Sequence, residues 1–343
     1  VKILNPSVFI NQMPPAAQLQ KTLKAKNLII FIDERVSEIP FVAQWLTGFP
    51  YVLRVSCGEN LKTLEEYTRW SKKILPYLQG SLPQESALVV VGGGTAGDFG
   101  GFLASTLKRG IGLCHIPSTW LAAIDSAHGG KNGVNVDQFK NQVGTVYHPQ
   151  KIFLVKELLF SQPSENLTSG NGEALKMAII QGGSLFASFE RTKNIDANFI
   201  WKVLPALIQG KYKVVKKDPL EKKGHRRILN LGHTLGHALE SKNGLAHGMA
   251  VQMGTQFILD WSLELKFIKK SSHERIRKVL IKNTLKPISP ISTEHLLSQL
   301  SQDKKHSLDG IHCVFVKNIG RPFIKKVKAD DFITAAKRWG WAR

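Results

Sequence analysis

The sequence predicts an α/β fold for its first half and a mainly α-helical second half. Three observations carry this. The first half holds short, continuous apolar runs that end in an acid or in glycines, as buried parallel strands do when they feed turns and helices. After Lys156 such runs thin out and helical periodicity takes over. At 343 residues the chain is also long for one core, so two domains, 1–156 and 157–343, are expected.

In order, LIIFID (28–33) is an apolar run closing on Asp33. SALVVVGGGTAGDFGGFLAST (86–106) breaks into glycines and then resumes helical spacing, so a strand, a turn and a helix are expected. IGLCHIP (111–117) and IFLV (152–155) supply further strands. The helical patterns are NGEALKMAIIQGGSLFASFE, NFIWKVLPALIQGKYKVVKKD, ILNLGHTLGHALESK, HGMAVQMGTQFILDWSLEL and HERIRKVLIKNTL, and GIHCVFVKNIG (310–320) is one late strand among them. With no internal repeat and no low-complexity linker, the halves are expected to pack against each other around a cleft.

Composition narrows the function classes. No apolar run approaches the roughly 18 to 20 residues of a membrane helix, and VKILNPSVFINQ lacks a signal-peptide layout, so a soluble, cytoplasmic protein with no membrane partner is expected. Cys57, Cys114 and Cys313 are far apart, which argues against a disulfide framework and a thiolate zinc site. The formal charge of +21 raises nucleic acid as a partner. The cations are instead scattered in pairs such as Lys216/Lys217 and Lys269/Lys270, without a basic tail or aromatic platform, so a lysine-rich proteome or a site that gathers phosphorylated, carboxylated substrates is favoured over nucleic acid.

Several segments carry candidate chemistry. GGGTAGD (92–98) follows a strand and opens a helix, where backbone N–H groups can approach a phosphate. DSAHGGKNGVNVDQFKNQVG (125–144) reads as a polar, glycine-rich loop whose Asp125, Lys131, Lys140 and Asn141 suit a bound anion. Glu59 and Lys62 alone read as a solvated face. Glu173 and Lys176 share a helical face at i, i+3, and His233 and His237 share one at i, i+4, with His247 after a short loop. Two histidines and a carboxylate suit a catalytic Zn²⁺ site, and spacing leaves three ways to choose the histidines.

In order, GGGxxGD, KRG, DSxxGGKxGVN, KNxxG, GExxK, RxxLNxGHTxGHAxE and HGxAV make the chain, from about Leu28 to Gly320, resemble 3-dehydroquinate synthase and the wider sugar phosphate cyclase family. The resemblance implies a Rossmann-like NAD-binding domain and a helical metal- and substrate-binding domain, usually in a homodimer. It implies conversion of 3-deoxy-D-arabino-heptulosonate 7-phosphate to 3-dehydroquinate and phosphate, with catalytic NAD and Zn²⁺ or Co²⁺. By this resemblance Glu173, His233 and His247 hold the metal, and His237 faces the substrate. Asp125, Lys131, Lys140, Asn141, Lys176, Lys211, Arg226 and Asn230 line the pocket, Arg109 reaches the phosphate from the partner subunit, and Lys304 or Lys305 adds a cation. Asp33, Glu59, Lys62, Gly93, Gly94, Asp98, Ser118 and Thr119, with Lys131 and Lys140, fall on cofactor positions.

The chain departs from the family at named places. HGMAV has Met249 where an acid is usual, which removes an outer carboxylate near His247. In DPLEKKGHR, Lys222 falls where an acid is expected, and Glu221 takes that place if the backbone bulges. Arg35 replaces a small polar residue, and His128 enters the DSxxGGK loop. The alternatives are a sister cyclase of the 2-epi-5-epi-valiolone or 2-deoxy-scyllo-inosose type, a metal- and NAD-dependent polyol dehydrogenase, or a silent homologue that binds through its basic surface.

Overall fold

The computed structural model describes residues 6–137, 139–219, 221–283, 287–302 and 310–343. The chain forms two compact units, one ending at Asn166 and the other running from Leu167 to Arg343. The first unit extends past residue 156 because Leu158, on the short Lys156–Phe160 helix, belongs to its core.

Six parallel strands form the sheet of the first unit: β1 (Ser7–Ile10), β2 (Asn27–Asp33), β3 (Val52–Val55), β4 (Ser86–Gly92), β5 (Gly112–Pro117) and β8 (Lys151–Val155). Their order is β1-β8-β5-β4-β2-β3. Side chains alternate between the two faces. Leu28, Ile30, Ile32, Val89, Val91, Cys114 and Ile116 enter one core, and Ile29, Phe31, Leu88, Val90 and Leu113 enter the other with Trp70 and Phe99. The unbroken apolar runs inside β2 (28–32) and β4 (87–91) therefore reflect burial on both faces.

From β2 the chain moves outward to β3, then returns to place β4 on the other side of β2 and β5 beyond it. The direction of winding reverses between β2 and β4, and a doubly wound sheet opens its ligand crevice at such a point, beyond the carboxyl ends of the strands. Those ends carry Asp33 and Gly92-Gly93.

The expected loop at 125–144 is partly a two-stranded antiparallel hairpin, β6 (Lys131–Val136) and β7 (Phe139–Val146). The apolar side chains that alternate with polar ones suit a pleated ribbon, a signal masked by glycine and asparagine.

In the second unit the Ser164–Gln181 helix is buried without interruption from Ser169 to Ile180. The unit's further helices are Gly183–Arg191, Ala197–Lys217, His233–Asn243, His247–Glu264, Lys270–Leu280, Thr293–Gln302 and Ala329–Arg338. The expected late strand is the first arm of an antiparallel hairpin, β9 (Ile311–Asn318) and β10 (Arg321–Val327). Phe257, Trp261, Phe315 and Phe332 form a buried aromatic cluster with centroid spacings of 5.1 to 5.7 Å. Among the described residues, no helix is long and apolar enough to cross a membrane.

Candidate metal centre and nucleotide-binding surface

The ILNLGHTLGHALESK pattern does not form one helix. Residues His225–Asn230 make a 3₁₀ turn, and the α-helix begins only at His233. The break is at Gly232, whose φ of +78° is left-handed and whose added Cβ would lie 2.4 Å from Thr255 Oγ1. Arg226 and Asn230 are thus on the turn, while His233, His237 and Glu240 lie at i, i+4 and i+7 on one face of the helix.

Two neighbouring helices complete the group. Glu173 comes from the Ser164–Gln181 helix and His247 starts the His247–Glu264 helix. Their backbones touch where a side chain has no room: a Cβ on Gly172 would lie 1.8 Å from the Gly248 oxygen, and one on Gly248 would lie 1.7 Å from the Ser169 oxygen. This approach sets Glu173, next to Gly172, beside His247, next to Gly248.

Glu173, His233 and His247 present ligand atoms all within 4.8 Å of one another. Glu173 Oε1 lies 3.7 Å from His233 Nε2 and 3.6 Å from His247 Nε2, and this buried oxygen accepts no hydrogen bond. Burial lowers the His233 pKa well below its ordinary value, reinforced by Lys176, His247 and His237. Its Nδ1 lies 3.2 Å from the Leu231 carbonyl, which holds the proton on that nitrogen. A bare imidazole lone pair therefore faces an unbonded carboxylate oxygen, an arrangement that a cation between them satisfies. The residues fit a divalent metal.

His247 is the electrostatic opposite of His233. Burial opposes its charge, but the Glu173 and Glu240 carboxylates outweigh burial and push its pKa up to about 10. Glu240 Oε2 accepts from His247 Nδ1 at 2.9 Å. With Met249 two positions on, the carboxylate behind the His247 ring comes from the preceding helix. Spacing held this signal, since Glu240 falls on the histidine face, but the sequence reading assigned it no role.

Other expected pocket residues fall into two sets. In the second unit, Lys176 is buried with its ammonium against Glu173 Oε2. Lys211, on Ala197–Lys217, and Arg226 are also buried, and Arg226 Nη1 donates to the Pro219 carbonyl at 3.2 Å. Asn230 is half-buried, and His237 is exposed with its ring centroid 5.3 Å from that of His233. At DPLEKKGHR the chain does turn sharply, with Glu221 at φ +57° and Lys222 exposed. The buried acid there is Asp218. Burial opposes its charge, but backbone N–H groups of Lys223, Arg226, His225 and Lys222 outweigh burial and hold its pKa below the usual range. Lys304 and Lys305 lie outside the described residues.

In the first unit, Gly93 caps the Gly94–Thr106 helix at the end of β4, Ser118 N–H donates to the Gly92 carbonyl at 2.9 Å, and Thr119 caps the following helix through Ala122 N–H. Lys62 is not a solvated side chain. It is buried, and its Nζ donates to Asp98 Oδ2 at 2.8 Å and Asn141 Oδ1 at 2.6 Å. Glu59 accepts from Asn135 Nδ2 at 3.0 Å, so both members of the Glu59/Lys62 pair tie the β6–β7 hairpin down. Asn135 closes the DSxxGGKxGVN motif, which gave it no role of its own. Asn141 has φ +53°, and Lys131 and Lys140 are exposed. Asp125 ends the Trp120–Ile124 helix, and Arg109 is exposed at φ +63°. Asp33 accepts from Arg35 through both carboxylate oxygens. His128 is buried with Nε2 2.8 Å from the Ala123 carbonyl, a packing role.

A family model described as 3-dehydroquinate synthase N-terminal matches residues 52–169, and one described as 3-dehydroquinate synthase C-terminal matches 170–306. A 3-dehydroquinate synthase of Staphylococcus epidermidis is 35% identical over 295 residues, 82% of this chain and 80% of that protein. Two solved structures share the fold. One is a 2-epi-5-epi-valiolone synthase from Streptomyces hygroscopicus subsp. jinggangensis with NAD⁺ and Zn²⁺ bound, at TM-score 0.83 and 22% identity over 98% of each chain. The other is a 2-deoxy-scyllo-inosose synthase complexed with carbaglucose-6-phosphate, NAD⁺ and Co²⁺, at TM-score 0.81 and 24% identity over 96% of each chain. With both family models matched in order and more than a third of the aligned residues shared with the staphylococcal protein, the chain belongs to the 3-dehydroquinate synthase family.

Proposed function

We propose that this chain converts 3-deoxy-D-arabino-heptulosonate 7-phosphate to 3-dehydroquinate and phosphate, using catalytic NAD and a divalent metal. The observation that carries the reading is the unbonded Glu173 oxygen facing two imidazole nitrogens, in a chain whose relatives bear this enzyme's name. Glu173, His233 and His247 would hold the metal, and the β4–helix turn with Asp33 would hold NAD. When bound, the metal supplies Lewis acidity to a substrate hydroxyl and NAD a reversible hydride acceptor.

The chain's own groups do the rest. Lys176 offsets the Glu173 charge, so the buried metal group does not carry an uncompensated carboxylate. Lys211 and Arg226 supply buried positive charge on packed elements, which suits a carboxylated substrate better than a neutral sugar. His237, one turn from His233 and exposed, would exchange a proton with substrate or its phosphate. In the first unit Asp125, Lys131, Lys140 and Asn141 add substrate contacts, with Asn141 set by Lys62. A homodimer in which exposed Arg109 reaches the partner's phosphate site fits the same reading, as does the cytoplasm, where NAD is abundant.

The test is to supply NAD⁺, Zn²⁺ and the heptulosonate phosphate and to follow phosphate and dehydroquinate together. Equal yields without net NADH are expected. Turnover of a neutral sugar phosphate in preference would favour the sister cyclases, and NADH accumulating with a polyol but no phosphate release would overturn the cyclase reading.

A further inference from the structure

The two candidate metal-binding imidazoles are held by different partners on their far side. His233 has the neutral Leu231 carbonyl 3.2 Å from Nδ1, whereas His247 has the Glu240 carboxylate at 2.9 Å. From this asymmetry we infer that Glu240 is a positioning residue for the metal: it fixes the Nδ1–H tautomer of His247, aims Nε2 at the ligand position and strengthens its donation. The inference rests on the reading that Glu173, His233 and His247 hold the cation.

Three observations support it. Nε2 of His247 points toward Glu173 Oε1 at 3.6 Å while Nδ1 is engaged by Glu240, so the ring spans the two carboxylates and cannot flip without losing both. Glu240 is on the same helix as His233, so one rigid element positions one ligand directly and the other through the carboxylate. His247 also needs the help. It stands at the first position of its helix and is 30% exposed, against 13% for His233, so packing restrains its ring less. A carboxylate behind an imidazole both orients the ring and raises its basicity toward a metal.

A competing assignment makes Glu240 a ligand itself, because His237, Glu240 and His247 also bring donor atoms within 4.8 Å. The geometry favours the positioning role, since a metal on His247 Nδ1 would have to displace the proton that Glu240 accepts.

The experiment measures the Zn²⁺ dissociation constant and stoichiometry of the full chain by competition with a chelator. It compares wild type with Glu240→Gln, Glu240→Ala, Ser241→Ala and His233→Ala, and records the absorption spectrum of each Co²⁺ form. Glu240→Ala should weaken Zn²⁺ roughly 10- to 100-fold, and Glu240→Gln by less, since its amide oxygen still accepts from Nδ1–H but carries no charge. Ser241→Ala, on the adjacent residue, should stay within about twofold, which separates the carboxylate's role from local disturbance. The Co²⁺ bands should shift in Glu240→Gln at unchanged stoichiometry, a response that a purely structural role would not give. If Glu240→Ala does not fold, the Gln variant carries the test. Wild-type affinity in both Glu240 variants would overturn the inference, as would two Zn²⁺ per chain falling to one in them. Zn²⁺ retained by His233→Ala would instead overturn the ligand reading beneath it.

Discussion

In the first unit the proposed cofactor surface is mostly backbone, a glycine turn between β4 and its helix beside the end of β2. In the second, the proposed metal centre is three side chains from three helices. The first needs only a strand, a turn and a helix in sequence, and neighbouring strands fix its position through the sheet register. The second depends on helices meeting at glycines, because Glu173 is far in sequence from His233 and His247. A backbone site should tolerate side-chain changes around it, and a side-chain site should fail when its helices move.

The sharpest way to break this contrast is Gly248→Ala. The added methyl would sit 1.7 Å from the Ser169 carbonyl, so the two helices must part. A loss of about 3 kcal/mol in unfolding free energy is expected, with metal retention lost too, checked by denaturant titration and metal analysis. His237→Ala should act differently, keeping the metal but lowering kcat by roughly 10²- to 10⁴-fold if it transfers a proton. Equal metal loss in both variants would show that His237 belongs with the ligands.

Histidines sharpen the comparison through pH. His115, in β5, is buried and its pKa is lowered to about 4 by burial. The unfolded chain takes up that proton near pH 6.5 and the folded chain only near pH 4, so stability falls on acidification across that window and is flat below it. The loss should approach about 3 kcal/mol, and His115→Gln should remove this part of the acid dependence in urea titrations from pH 7 to 4. The smallest effect belongs to Lys62→Met. Asp98 is partly exposed, so losing this pair should cost about 1 to 2 kcal/mol, with NAD affinity down severalfold as the hairpin loosens, measured by calorimetry.

The same contrast explains what was legible in the sequence. β2, β4, β5 and β8 were visible because burial on both faces leaves continuous apolar runs. The exposed β7 and the lysine-rich β10 were not, because edge ribbons facing solvent carry polar residues that read as loop. β1 and β3 are too short to stand out. At the metal centre, helical spacing could pair His233 with His237 but could not bring Glu173 to them, and family resemblance chose the third ligand. The Gly172–Gly248 contact and the Asn135 tie are products of packing between segments, which periodicity does not encode, and helical spacing puts Glu240 on the histidine face without showing that His247 meets it there.

The central claim is that Glu173, His233 and His247 together hold one catalytic cation. The most direct test is to strip the protein of metal, restore one equivalent of Zn²⁺, and compare phosphate release with that of His233→Ala treated the same way. One bound equivalent and restored release in the wild type, with neither in the variant, is the predicted result. Release that persists in metal-free protein, or one equivalent retained by His233→Ala, would contradict the claim.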